Sequence, residues 1–149
     1  MTTTLSKQTP DEQRSRAPWR YGAAWGTGGA HIAEARHAVR SLLVRTGHHP
    51  RERSSQDAQL VVSELVTNAV RHAPGPGELI LEVSPDAAQL RISVRDSSAL
   101  PPRLQVPDAG RIGGHGLHLV TRLCDQVRTI ALDTGKRVVA HLSLEPSAG

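Results

Sequence analysis

The stretch Ser63-Glu-Leu-Val-Thr-Asn-Ala-Val-Arg-His72 decides the fold of this chain. Its apolar residues belong to a stripe with the period of an amphipathic helix. The stripe consists of Ala58, Val61, Val62, Leu65 and Ala69. Glu64 and Asn68 are four residues apart, so they share one helix face at the edge of this stripe. A solvated Glu/Asn pair has the same spacing, but polar groups beside a buried stripe need partners, which makes the pair a candidate ligand site.

The bounds of this helix follow from capping residues and proline. Ser54 or Ser55 is expected to cap its start, where Asp57 also suits the positive end of the helix dipole. The helix is expected to end near Ala73, because the following residue, Pro74, disfavours helical backbone before it.

The residues before this helix predict a tail, a joint and a first helix. Residues 1–24 are polar and predict a mobile N-terminal tail that ends in a short edge strand near 19–25, so the domain proper is expected to span residues 25–149. Gly26-Thr-Gly-Gly29 lacks the Lys-Ser/Thr of a phosphate loop and predicts a linker. From Ala30 the apolar spacing is helical, and the turn at Gly47–Pro50 ends that helix. The two histidines of this turn, at 48 and 49, are expected to be solvated.

The residues after residue 73 predict two hairpins around a loop and a helix. Strands are expected at 78–84 and 89–96, because apolar and polar residues alternate there. An irregular loop at 97–112 leads to a third helix, which Gly113–Gly116 opens, and strands at 127–133 and 137–144 follow. This order predicts an α+β fold, a two-layer α/β sandwich of an antiparallel-rich mixed sheet with helices on one face.

Composition bounds the classes of function. A length of 149 residues with 38% hydrophobic and 21% charged residues suits one ordinary domain. The net charge is +4, but the basic residues are interleaved with acids and form no long run, which disfavours direct nucleic-acid binding. The single cysteine, Cys124, excludes an internal disulfide. No signal peptide or apolar run of membrane-spanning length is evident, so a cytoplasmic protein without membrane contact is expected.

Asp96 ends the second predicted strand and is a second candidate. A carboxylate at the point where a strand opens into a loop can accept a hydrogen bond from a buried amine, such as the exocyclic amine of adenine. An Asp that starts a turn before Ser97 has the same sequence pattern, and the pattern alone does not separate the two interpretations.

The third candidate is the glycine-rich segment Gly113-Gly-His-Gly-Leu117. Glycines let the backbone approach an anion, and the N-terminus of a helix favours phosphate. A flexible connection to a core helix has the same composition. His115 is expected to be solvated.

These three motifs in this order resemble the GHKL superfamily of ATPases, which includes gyrase B, Hsp90, histidine kinases and MutL. Residues 63–72 resemble the N box, Asp96 the G1-box aspartate, and Gly114-His-Gly-Leu117 the G2 box. The resemblance covers about residues 30–145. It is greatest to the small stand-alone branch of anti-sigma-factor serine-protein kinases and their actinobacterial relatives.

The resemblance implies a Bergerat fold with ATP and Mg²⁺ as cofactors. It implies that Asn68 coordinates magnesium, that Glu64 is the general base, and that Asp96 holds the adenine amine. It further assigns nucleotide contacts to His72 in the N box and to the G2-box residues. The G2-box residues, which form the phosphate end and lid, are Gly114, Gly116 and Leu117.

The implied activity is that of an anti-sigma factor with serine/threonine-protein kinase activity toward an antagonist protein. The implied partners are therefore a sigma factor and that antagonist, and a homodimer is compatible with the resemblance. A non-catalytic nucleotide-binding module that a partner protein reads is the alternative.

Two departures from the family pattern bear on turnover. The G1 box usually continues Asp-x-Gly-x-Gly, whereas this chain continues with residues 97–100, Ser-Ser-Ala-Leu. The kinase relatives carry Gly-x-Thr near the end of the domain, and here Gly135-Lys136-Arg137 has Arg in the place of Thr.

Overall fold

A computed structural model describes residues 19–26, 32–73, 75–97 and 112–145, with the backbone alone at 112–117. The predicted linker after Gly26 and most of the predicted loop at 97–112 lie outside the described residues. The predicted tail lies outside them up to residue 18, and its last six residues, 19–24, belong to a strand.

The described chain forms five strands and three helices. The strands are β1 (Trp19–Trp25), β2 (Gly77–Val83), β3 (Gln89–Asp96), β4 (Gln126–Leu132) and β5 (Gly135–Ser143). The helices are α1 (Ile32–Arg45), α2 (Arg53–His72) and α3 (Ile112–Leu123). The predicted α+β class is confirmed, and each predicted helix and strand corresponds to an observed one within a few residues.

The sheet has the strand order β1-β2-β3-β5-β4, and every described pairing is antiparallel. Two hairpins, β2–β3 and β4–β5, follow from the alternating apolar pattern. They meet through β3 and β5, which pair along eight residues from Gln89 opposite Ser143 to Asp96 opposite Lys136. This central pairing decides which side chains meet at the end of the sheet.

The helices cover one face of the sheet. The α2 stripe predicted from the sequence is buried, and α1 buries an equivalent stripe beside it. Val120 of α3 is fully buried in the same cluster as Leu65 of α2 and Ile92 of β3. The core is therefore one aliphatic layer between the sheet and the helices, and the polar residues at its margin are the candidates for function.

The predicted cap of α2 is wrong. The N-cap residue is Glu52, which makes no side-chain capping hydrogen bond, and Ser54 and Ser55 lie buried inside the first turn. The Ser54 hydroxyl accepts a 3.4 Å hydrogen bond from the Glu145 backbone N–H. The Ser55 hydroxyl has no hydrogen-bond partner among the described residues. Packing against the segment after β5 therefore overrides the local preference of serine for a cap.

The prediction of a solvated His48 is also wrong, although His49 is exposed as expected. The His48 side chain is fully buried, with Nε2 2.7 Å from the Ala87 carbonyl oxygen and Nδ1 3.3 Å from Oε1 of Glu52. Ala87 lies in the β2–β3 turn and has a positive φ of 60°. His48 thus ties the turn between α1 and α2 to the β2–β3 hairpin.

The face of the sheet opposite the helices carries charged residues in cross-strand pairs. Glu82 lies between Arg20 and Arg91, at 3.5 and 3.2 Å. Glu78 lies between Arg95 and Arg137, at 3.7 and 3.5 Å. We call these four ion pairs the outer-face pairs. Their arginine side chains are 27–54% exposed, so water screens them.

Candidate functional site

Helix α2 presents the first group of predicted site residues on one face. Glu64, Asn68 and His72 follow each other at intervals of four residues, so they form a line along the helix. All three side chains are partly buried, which places the line at the margin of the apolar stripe. His72 is the last helical residue. The helix period therefore places the carboxylate, the amide and the imidazole on one face of α2.

Asp96 lies at the other margin of the core. It ends β3 and follows Leu90, Ile92 and Val94 on the helix-facing side of the sheet, where it is 3% exposed. A carboxylate this deep needs a donor to offset the loss of water. The structure therefore favours a buried functional or structural carboxylate over a solvated turn-starting Asp.

One donor to Asp96 is Lys136, a contact that the sequence pattern did not indicate. The Lys136 Nζ lies 2.6 Å from Oδ2 of Asp96, and the two side chains are 11% and 5% exposed. The residues are register partners on β5 and β3. The alternation of β5 would have indicated which face Lys136 occupies, but only the β3–β5 register reveals its partner.

Arg137, which takes the place of the family's threonine in the sequence pattern, points to the opposite face. Its Nη1 donates a 2.8 Å hydrogen bond to the Ser93 hydroxyl, and its Nη2 pairs with Glu78. The strand alternation thus puts Lys136, and not Arg137, beside Asp96.

At Gly135, the turn between β4 and β5 lies close against the backbone at the end of β3. A Cβ on this residue would lie 1.9 Å from the Asp96 carbonyl oxygen, and its φ is +116°. Both observations require glycine, because other residues rarely adopt this backbone conformation and none would fit. The β4–β5 turn is therefore pressed against the backbone that carries Asp96.

The predicted glycine-rich segment forms the start of α3. Gly114, Gly116 and Leu117 lie in the first two turns of this helix, which begins at Ile112. The first N–H groups of a helix have no partner within the helix, so the backbone here offers donors to an anion. Helix α3 therefore lies between β3 and β4 in the chain, as the sequence predicts, and it packs against α2 in the shared core.

Glu64 also borders a surface groove of about 480 Å³ between α1 and α2. The groove is lined by Arg36, Gln56, Gln59, Leu60, Ser63 and Glu64. Leu60 is 39% exposed there, and few large apolar side chains of the described residues are as exposed. An incoming side chain can therefore reach the Glu64 carboxylate from solvent.

Neither a metal site built from side-chain clusters nor a cysteine nucleophile finds support within the described residues. No group of three or more His, Cys, Asp or Glu side chains has the arrangement of a metal site there. Burial raises the pKa of the Cys124 thiol to about 12, and Asp125 and Asp57 add to this effect. The thiol therefore stays protonated at neutral pH and is a poor nucleophile.

Comparison with known proteins identifies the family. Residues 28–142 match the model of the histidine kinase-like ATPase domain, so the chain belongs to this family, within the GHKL superfamily. Membership implies that the domain binds ATP. The predicted recognition of the superfamily is thus confirmed. None of the curated protein sequences matches this chain significantly.

Three solved structures are similar to the chain. A chain of the SiaB–SiaC complex from Pseudomonas aeruginosa is 14% identical, with 97% of this chain and 99% of that chain covered and a TM-score of 0.59. The histidine kinase domain of a blue-light-activated kinase from Erythrobacter litoralis is 22% identical, with 74% and 61% covered and a TM-score of 0.48. The catalytic domain of the histidine kinase ThkA is 14% identical, with 83% and 95% covered and a TM-score of 0.47. The first of these supports the fold of the described residues.

No helix of the described part of the chain is long and apolar enough to span a membrane.

Proposed function

We propose that this chain is an ATP-binding regulatory protein, an anti-sigma factor that phosphorylates a serine or threonine of an antagonist protein. One observation carries the proposal most directly. A nearly fully buried carboxylate, Asp96, ends a strand on the helix-facing side of the sheet, and the resemblance of the sequence to the G1 box implies that this aspartate contacts adenine.

The line of Glu64, Asn68 and His72 on α2 supplies the polar groups that the proposal needs near the phosphates of ATP. Asn68 offers an amide oxygen, a ligand that suits Mg²⁺, which takes one or two protein oxygens together with phosphates and water. Mg²⁺-bound ATP supplies the phosphoryl group. His72 extends the line at the end of α2, and the first turn of α3, which includes Gly114, offers backbone N–H groups to the phosphates, with Gly116 and Leu117 in the turn that follows.

Glu64 is the proposed general base. It is partly buried, so its carboxylate is positioned by the helix and still borders the groove that solvent reaches. A carboxylate in this position can accept the proton of an attacking hydroxyl. The exposed Leu60 in the same groove gives an incoming polypeptide an apolar contact.

A protein partner is also consistent with the comparisons. One of the similar folds is a chain of a two-protein complex, SiaB–SiaC. For this chain, the proposed partners are a sigma factor and the antagonist that accepts the phosphate, and homodimer formation belongs to the same proposal.

Phosphate transfer is the direct test. The protein is incubated with γ-labelled ATP, Mg²⁺ and the candidate antagonist, and labelled serine or threonine is identified by mass spectrometry. The matched control is Glu64→Gln, which keeps the shape of the side chain but removes the base. We expect transfer by the wild type and at least a hundredfold slower transfer by E64Q at similar ATP affinity. Binding of ATP by the wild type without any transfer would contradict the kinase role.

The second candidate is a non-catalytic module whose nucleotide-bound conformation a partner reads. Two observations favour it: Lys136 already pairs with the carboxylate proposed for adenine, and the residues after Asp96 lack the glycines of the G1 box. In this case ATP changes partner affinity without being consumed. Partner binding that depends on ATP, and is equal for wild type and E64Q, distinguishes it from the kinase.

A further inference from the structure

The ion pair between Lys136 and Asp96 is more buried than the outer-face pairs. It lies at the edge of the aliphatic layer, with a 2.6 Å separation and side-chain exposures of 11% and 5%. Transfer of two charges from water to such a site is costly, and well-packed apolar residues often serve stability equally well. A role beyond stability is therefore a reasonable explanation of the pair.

Lys136 has more hydrogen-bond donors than its contact with Asp96 uses. An ammonium group has three donors, and the contact with the Asp96 carboxylate takes one of them. A carboxylate has about four acceptor positions on its two oxygens, so Asp96 can accept from more than one donor. Lys136 can therefore donate to a ligand that lies beside the carboxylate.

Adenine has the complementary pattern. Its exocyclic amine is a donor, and the adjacent ring nitrogen N1 is an acceptor. We propose that Lys136 is a specificity-determining residue of the nucleotide site, which donates to N1 while Asp96 accepts from the exocyclic amine. This inference rests on the proposed ATP site.

The strand geometry supports the same assignment. Asp96 and Lys136 are register partners, so their side chains leave adjacent strands at the same height and on the same face. Gly135 presses the preceding turn onto the Asp96 backbone, with space for no side chain between them. The backbone positions from which the two side chains leave are thus fixed relative to each other.

The test combines a protein change with a change of one ligand atom. Calorimetry measures the affinities of wild type and Lys136→Met for ATP and for 1-deaza-ATP, in which N1 is replaced by C–H. The matched ligand control is 7-deaza-ATP, which changes a ring nitrogen away from the edge that Asp96 and Lys136 read. Thermal unfolding without nucleotide checks that each variant is folded.

We expect wild type to bind 1-deaza-ATP roughly tenfold or more weakly than ATP, as for loss of a hydrogen bond to a charged donor. Lys136→Met is expected to bind both nucleotides with the same affinity within about twofold, since the donor to N1 is gone. The penalty for 7-deaza-ATP is expected to be the same in both proteins. Where K136M fails to fold, Lys136→Gln keeps a donor for Asp96 without the charge, and we expect it to show a smaller N1 penalty than wild type.

Three results overturn the inference in distinguishable ways. An equal N1 penalty in wild type and in K136M or K136Q assigns the N1 contact to another group. Tighter ATP binding by K136M makes Lys136 a competitor for Asp96 and not a partner in recognition. Absence of ATP binding to folded wild type overturns the proposed function together with this inference, whereas binding without coupling to Lys136 overturns the inference alone.

Discussion

Both faces of the sheet carry ion pairs between acidic and basic side chains, but the pairs on the two faces differ in their exposure to solvent. On the outer face, Glu82 and Glu78 each lie between two arginines, at 3.2–3.7 Å, with arginine side chains 27–54% exposed. On the helix-facing side, Lys136 and Asp96 meet at 2.6 Å with exposures of 11% and 5%. All of these pairs join antiparallel strands, so strand geometry alone does not distinguish them.

The difference teaches where to look for function. In an exposed pair, the loss of side-chain freedom largely offsets the weak attraction between the charges. Such a pair therefore contributes about 0–1 kcal/mol to the free energy of unfolding. A buried pair has a large desolvation cost, and loss of one partner leaves an uncompensated charge that costs about 3–5 kcal/mol. The outer-face pairs are therefore explained by solvation of a sheet surface, whereas the buried pair is the candidate for ligand recognition proposed above.

The largest expected effect on stability comes from removal of the carboxylate charge of the buried pair. Asp96→Asn keeps the size of the side chain but leaves the Lys136 charge without its partner, so it should lower the free energy of unfolding by about 3 kcal/mol. The matched change on the outer face, Glu82→Gln, should lower it by less than about 1 kcal/mol. Urea unfolding of the three proteins measures both values. Equal losses for the two variants would show that burial does not separate the two faces.

A second change tests the backbone that holds the buried pair. Gly135→Ala places a Cβ 1.9 Å from the Asp96 carbonyl oxygen at a φ of +116°, so backbone and turn must move. We expect a loss of about 2 kcal/mol or more in unfolding free energy, together with weaker ATP binding. The control is Gly22→Ala on β1, where a Cβ would lie 3.8 Å from the nearest atom, Nη1 of Arg20. That variant should be within about 0.5 kcal/mol of wild type, and a similar loss in both would contradict the role of close contact at Gly135.

A smaller effect is expected from the two buried serine hydroxyls at the start of α2, of which one has a hydrogen-bond partner among the described residues and the other has none. The Ser55 hydroxyl is buried and lacks a partner among the described residues, so Ser55→Ala should leave stability unchanged or raise it by up to about 1 kcal/mol. Ser54→Ala removes the acceptor for the Glu145 N–H and should be destabilising. Thermal unfolding compares the two, and destabilisation by S55A alone would show that its hydroxyl has a partner in solution.

The smallest expected effect is a pH dependence on the outer face. Burial lowers the pKa of His141, and Arg91 and Arg128 lower it further, while Asp125 acts in the opposite direction. The unfolded chain therefore binds a proton at His141 more tightly than the folded chain does. The stability contributed by neutral His141 is present above the ordinary histidine pKa of about 6.5 and is lost as the pH falls through that value toward the lowered pKa.

The variant His141→Gln isolates this contribution. Denaturant unfolding between about pH 5 and pH 7.5 should show a steeper loss of stability on acidification for wild type than for H141Q. Identical pH profiles for the two proteins would exclude the lowered pKa.

Local pattern was sufficient for much of the fold. The alternation in 89–96 predicts β3 residue by residue, and the apolar stripe of α2 is buried as its spacing indicates. The line of Glu64, Asn68 and His72 follows from the same helix period. These features depend on neighbours within a few residues, which the sequence displays directly.

The features that sequence pattern missed depend on distant contacts. Lys136 meets Asp96 across 40 residues and His48 meets Ala87 across 39, and neither contact has a local signal. The β3–β5 register creates the first, because a shift of one residue would move Lys136 to the other face. The wrong prediction of Ser54 or Ser55 as the cap of α2 has a related cause, since the packing of the segment after β5 is not visible in the local sequence.

Calorimetric titration with ATP, with and without Mg²⁺, tests the central claim that α2 and the end of β3 form a nucleotide site. Wild type should show saturable binding that Mg²⁺ strengthens. Asn68→Ala should keep weaker binding that no longer responds to Mg²⁺, because the proposed protein ligand of the metal is removed. Absence of saturable binding to folded wild type at millimolar ATP with Mg²⁺ would contradict the account.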